Sequence, residues 1–219
     1  LDAARGRALA AELGGPARFV AADVTDAGAL AAAVNQATEA APLRVAVACA
    51  GVATVSRVLA RDGTPHDLDA FRTVIETNLV GTFNLLRLAS AAMAANEPAD
   101  DGERGLVVMT ASVAAFEGQV GQAAYAASKG GVAGLTLPAA RDLAPAGIRV
   151  VSIAPGTFDT PLFSGLPEAA RQALAANVPF PRRLGHPSEY AALVLAVCQN
   201  RMLNGGTIRL DGALRMPPR

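Results

Sequence analysis

A chain of 219 residues with 52% hydrophobic and 17% charged content has the length for one globular domain with a substantial core. Its 19 Lys+Arg balance 19 Asp+Glu without a long basic run, which argues against nucleic acid or an acidic membrane surface and for a small, neutral partner. Cys49 and Cys198 form neither a disulfide framework nor a metal-ligand cluster, no apolar run reaches the roughly 18 residues of a membrane span, and Leu1 to Gly14 is too charged for a signal peptide, so the expectation is a soluble, cytoplasmic protein without a metal.

In chain order, "LDAARGRALAAELGG" reads as an Ala/Leu-rich helix ended by Gly14-Gly15, and "RFVAADV" as a short strand closing on Asp23. "DAGALAAAVNQATEA" is a second helix stopped by Pro42, and "RVAVACAG" is an apolar strand running into Gly51. After a loop with Gly63 and Pro65, a long helical stretch runs from about Asp67 to Ala95 and ends in the polar loop "NEPADDGERG". The strands "LVVMTAS" and "IRVVSIAPG" bracket a helix around "AAYAASKGGVAGLTLPAARDLA"; "YAALVLAVCQ" is the last helix and "GTIRLDG" the last strand, before the short tail "RMPPR". This βαβ alternation, with strands apolar enough to be buried on both faces, predicts a parallel sheet covered by helices on each side. No repeat or low-complexity linker divides residues 1–219, which read as a single domain.

Ligands of such sheets bind at the carboxyl ends of the strands. Four ends carry a usable group: Asp23, the run Cys49 to Gly51, Ser112, and Pro155-Gly156. Each alone is ordinary turn chemistry. Beyond Ser112, Tyr125 precedes Lys129 by four residues, which puts both side chains on one helix face. An ammonium about 5 Å from a phenolate stabilises it by roughly 3 kcal/mol at an effective dielectric near 20, or about two pKa units, enough for a general base near neutrality. Ser112 is placed to meet the Tyr125 hydroxyl and hold a substrate oxygen between them. At this level a bland reading stays open, in which Tyr125 packs, Lys129 is solvated and Ser112 caps a turn.

The segments "TASVAAFEGQVGQAAYAASKGG", "LPAARDLAPAGIRVVSIAPG", "VPFPRRLG" and "IRLDGALRM" resemble the short-chain dehydrogenase/reductases, and within them the type 2 3-hydroxyacyl-CoA dehydrogenases. The resemblance implies a Rossmann-type doubly wound parallel sheet in three layers, α/β/α, with NAD as cofactor. By it, Tyr125 removes the hydroxyl proton of a secondary alcohol, Ser112 positions the oxygen, and Lys129 lowers the Tyr125 pKa and binds the nicotinamide ribose. Asn78 in "IETNLVGTFNL" matches the asparagine that kinks its helix and holds a water linked to Lys129. Asp23 and Val24 resemble the adenine contact. Pro155 and Gly156 open "PGTFDT", which closes on the carboxamide and pyrophosphate through Phe158 and Thr160, and residues 157–178 form a substrate lid. Gln119 and Gln122 join Ser112 and Tyr125 on the substrate side.

Two departures accompany the resemblance. Where most of the family reads Asn-Asn-Ala-Gly, this chain has Ala48-Cys49-Ala50-Gly51, losing amides that brace the central strands. Cys49, Ala50 and Gly51 then line the cofactor pocket, with a buried structural thiol as the alternative for Cys49. The strand and glycine-rich turn that open the family sequence have no counterpart, and Leu1-Asp2 resembles the end of the second strand, where Asp2 selects NAD over NADP. A working enzyme is therefore expected to carry about 30 to 35 further N-terminal residues, the length of a typical strand-helix unit, and the truncated sheet to be unstable alone.

The preferred expectation is NAD-dependent oxidation of short or 2-methyl-branched 3-hydroxyacyl-CoA thioesters, with hydroxysteroids as secondary substrates, by a homotetramer. The alternatives are a 3-oxoacyl-carrier-protein reductase or another alcohol dehydrogenase of the family, and a non-enzymatic scaffold.

Overall fold

Of the five apolar segments, four pair. The computed structural model describes residues 2–161 and 167–218. Strands β1 (Val45–Ala48), β2 (Gly105–Thr110), β3 (Ile148–Pro155) and β4 (Thr207–Leu210) lie side by side in that order, all parallel. In register, Ala48 is opposite Met109, Thr110 opposite Ile153 and Pro155 opposite Leu210, so the carboxyl ends share one edge of the sheet.

The helices are α1 (Ala3–Leu13), α2 (Ala27–Ala40), α3 (Leu68–Ile75), α4 (Gly81–Ala94), α5 (Ala123–Leu143), α6 (Glu168–Ala176) and α7 (Pro187–Gln199). Their starts follow from sequence: the Asp2 carboxylate accepts from Arg5 N, and Asp26 accepts from Gly28 N and Ala29 N, satisfying orphan donors of α1 and α2. Strand alternation then divides the core. Val107 and Met109 of β2 pack with Leu86, Met93 and Val132 under α4 and α5, while Leu106 and Val108 pack with Tyr190, Leu193 and Val197 of α7 on the opposite face. Full burial of each such side chain is worth about 1.5–3 kcal/mol. Gly105 lets α4 approach, since a Cβ there would stand 2.5 Å from Met93 Sδ. No helix among the described residues is long and apolar enough to cross a membrane.

Three expectations are corrected. Arg18 to Val24 forms no strand, because no neighbouring strand among the described residues offers it a ladder; instead the Val24 carbonyl accepts from Asn84 Nδ2. In β1, Ala46 and Ala48 are buried but Val45 and Val47 are exposed, so this strand is covered on one face only. The stretch 157–178 is not a plain loop: it contains α6, and its residues 162–166 lie outside the described part.

Candidate active site

Ser112 follows directly on β2, and its hydroxyl accepts from Ala114 N at 3.1 Å, the cap of a single 3-10 turn. That bond fixes the oxygen and leaves the Ser112 proton free to turn toward the Tyr125 phenol, whose pKa it lowers. Tyr125 and Lys129 lie in the first two turns of α5, on one face as their spacing requires. The Lys129 ammonium donates to the Thr110 carbonyl at 2.7 Å and stands 5.8 Å from the centroid of the Tyr125 ring.

The electrostatics differ from the sequence-based expectation. Burial raises the Tyr125 pKa above its ordinary value, and the Ser112 hydrogen bond opposes this only in part. The lysine does not depress it, because Lys129 faces the ring and is itself buried, which lowers its own pKa to about 8; Cys49 works in the other direction. Tyr125 is thus held as a phenol, suited to donate a proton, while Lys129 keeps its proton up to about pH 8.

Asn78 falls in a π-helical turn, Glu76–Val80, between α3 and α4, where Gly81 N reaches back to the Glu76 carbonyl. This widened turn is the local distortion expected of Asn78, and such turns concentrate at functional sites. The fully buried Asn78 amide accepts from Val52 N at 2.8 Å and donates to Val52 O at 2.9 Å and Ser128 Oγ at 3.0 Å. Ser128 in turn donates to the Tyr125 carbonyl at 2.8 Å. Asn78 therefore ties the chain after β1 to the helix that carries Tyr125 and Lys129. A Cβ on Gly51 would lie 3.2 Å from Asn78 Oδ1 and 3.6 Å from Lys129 Nζ, so the end of β1 passes close beside both.

Cys49 and Ala50 are exposed on that same strand end, so Cys49 is not a buried structural thiol. The end of β1 is braced by Thr110, whose hydroxyl donates to the Ala48 carbonyl at 2.6 Å. Gln119 and Gln122 line an open cavity of about 400 Å³ beside Ala126, together with Arg57 and Leu59. Gln119 Nε2 donates to the Pro217 carbonyl at 2.9 Å, so the C-terminal tail holds one side of that cavity.

The remaining candidates sit further out. Asp23 accepts from Thr25 N and Thr25 Oγ1, bonds that hold its pKa below the usual carboxylate value. Val24 packs against Gly81. Asp2 is engaged as the cap of α1. Gly156 donates to the Leu210 carbonyl at 2.9 Å beyond Pro155, Phe158 packs on Gly185, and Thr160 is half-buried. Arg171 of α6 pairs with Asp159 at 2.8 Å, tying α6 to this segment. Thr110, Ser128 and Tyr190 take part in the site without having been singled out from sequence; Thr110 ends a strand, which was the available signal.

Comparison with known proteins agrees with this fold. The family model described as enoyl-(acyl carrier protein) reductase matches residues 2–214. The 3-hydroxyacyl-CoA dehydrogenase type-2 of Bos taurus is 54% identical over 215 residues, covering 97% of this chain and 82% of that protein. Its counterpart in Drosophila melanogaster is 51% identical over 220 residues, covering 100% and 86%. The crystal structure of 3-hydroxyacyl-CoA dehydrogenase type-2 from Mycobacterium avium superposes with a TM-score of 0.96 at 49% identity, over 100% of this chain and 85% of that one. A 3-oxoacyl-[acyl-carrier protein] reductase from Brucella melitensis gives 0.83 at 30% identity, over 99% and 80%.

Proposed function

Because the chain belongs to the short-chain dehydrogenase/reductase family, we propose that it interconverts 3-hydroxyacyl-CoA and 3-ketoacyl-CoA thioesters with NAD. The observation that carries this reading is the meeting of Ser112 and Tyr125 just beyond β2, with Lys129 and Asn78 packed beside them. The likeness to type-2 enzymes at about half identity favours this substrate class over carrier-protein thioesters, where identity falls to 30%.

The residues present suit the cofactor. One of the three Lys129 ammonium protons goes to Thr110, which leaves donors for ribose hydroxyls. The exposed backbone from Cys49 to Gly51 beside it lacks bulky side chains, so a flat ring system can approach closely. Asp2 would take the adenine ribose, Asp23 and Val24 the adenine, and Pro155, Gly156, Phe158 and Thr160 the nicotinamide side. Bound NAD supplies the acceptor or donor for hydride.

Ser112 holds the substrate oxygen and Tyr125 exchanges the proton with it, as acid in reduction and as base in oxidation. With the Tyr125 pKa raised, the acid form dominates near neutrality, so oxidation is expected to accelerate as the solution becomes more alkaline. Gln119 and Gln122 line the cavity that takes the acyl arm. Exposed Val80 in the π turn, Phe83 on α4 and Leu137 on α5 support assembly as a homotetramer. The test is NADH oxidation with acetoacetyl-CoA. Turnover supports the reading; NAD binding without turnover moves it to another alcohol, and the absence of both overturns it.

A further inference from the structure

We propose that Tyr190 is a positioning residue for Lys129, acting through Thr110, an inference that rests on the catalytic reading of Lys129. Tyr190 comes from α7, and its hydroxyl lies 2.7 Å from Thr110 Oγ1. The Thr110 hydroxyl is also 2.6 Å from the Ala48 carbonyl and 3.7 Å from Cys49 Sγ, and the Thr110 carbonyl accepts the Lys129 ammonium at 2.7 Å.

Proton counting orients this chain. The Ala48 carbonyl has no proton to give, so the single Thr110 hydrogen goes to it, and Tyr190 must be the donor to Thr110 Oγ1. Thr110 is β-branched, with few χ1 choices, and two bonds on its hydroxyl hold both the rotamer and the last peptide of β2. That peptide's carbonyl is the one that anchors Lys129. The tie crosses the sheet: α7 packs on one face, α5 on the other, and Thr110 at the strand end joins them.

Lys129 has little else to hold its charge. The titratable or polar groups facing it are Tyr125 on its own helix, Cys49 and Gly51 at the end of β1, Asn78 in the π turn and Thr110 in β2. None of these is a carboxylate. A carbonyl held in line with the ammonium therefore decides how far burial lowers its pKa below 10.5 toward about 8, a lowering that Cys49 also opposes.

Tyr190→Phe keeps the ring in the apolar cluster beneath α7 and removes only the hydroxyl. Lys129 is the only lysine in the sequence, so NMR titration of its side chain in lysine-labelled protein gives one resonance. The titration midpoint is expected to fall by roughly half a unit or more in Tyr190→Phe and in Thr110→Val. Thr110→Ser, which keeps the hydroxyl, should stay near the wild type. In turnover, Tyr190→Phe should lower kcat several-fold and move its alkaline limb to lower pH, with KM for the thioester unchanged. The double variant should do no worse than Thr110→Val. An unchanged Lys129 midpoint in a folded Tyr190→Phe protein, or additive losses in the double variant, would overturn the proposal. Because the titration needs no substrate, it separates this proposal from failure of the substrate assignment.

Discussion

Arg149 and Lys129 are both nearly inaccessible, at 7% and 4% exposure, and sit at opposite ends of the sheet with opposite surroundings. Arg149, near the start of β3, pairs with Glu103 at 3.0 Å and donates to the carbonyls of Val197, Cys198 and Leu203 around the end of α7. Lys129, at the carboxyl ends of the strands, has among the described residues one carbonyl and no carboxylate. A guanidinium that cannot lose its proton is surrounded by acceptors and serves as a clamp; an amine left short of partners stays titratable. Stability is concentrated where the charge is matched, and chemistry where it is not.

The largest effect that sharpens this contrast is on chemistry. Tyr125→Phe removes the proton donor next to Lys129 and should cut turnover by about 10²- to 10⁴-fold while leaving the fold intact. Steady-state kinetics alongside circular dichroism checks it; appreciable residual turnover in a folded variant would remove Tyr125 from its role.

At the other end of the sheet, Arg149→Met leaves Glu103 with its 3.9 Å contact to Arg201 and removes the donor to several carbonyls of the α7 terminus. Breaking a buried pair in this way should cost about 3–5 kcal/mol of unfolding free energy. Urea denaturation measures it, and a loss below about 1 kcal/mol would show that Arg149 is no clamp.

Lys129→Met should do the reverse. The folded lysine titrates near 8 against an ordinary 10.5, so between those values the unfolded chain holds a proton that the folded chain has released, and wild-type stability rises with pH across that window. Below about pH 8 the cost of the buried charge is fully present. The inactive Lys129→Met protein should therefore be more stable at pH 7 by on the order of 3 kcal/mol, with the gain fading toward pH 10.5. Thermal melts at several pH values give the answer; a less stable variant at pH 7 would mean that Lys129, like Arg149, is a structural clamp.

Much of this site was legible because its parts are local. The four-residue spacing of Tyr125 and Lys129 is a property of any helix, and the turn after β2 brings Ser112 back to Tyr125 over thirteen residues. The long helix was legible too, but its π turn was not, because shifting one bond from i+4 to i+5 leaves no mark in apolar periodicity. Tyr190 was invisible as a partner of Thr110 for a different reason: eighty residues separate them, and only the packing of α7 on the sheet brings them within 2.7 Å. The sign of the Tyr125 shift was misjudged because burial depends on everything around the phenol, while the sequence shows only its neighbour on the helix.

The amino-acid sequence by itself determined the alternation of helices and parallel strands, the edge of the sheet where chemistry would sit, and the Ser112, Tyr125 and Lys129 set, since these follow from periodicity and short-range spacing. Tertiary structure decided which apolar segments found partners. It exposed Val45 and Val47 on one face of β1, left Arg18 to Val24 without a ladder, and set the protonation balance of Tyr125 and Lys129. Pairing, burial and desolvation are properties of surfaces brought together from distant parts of the chain, and no local pattern encodes them.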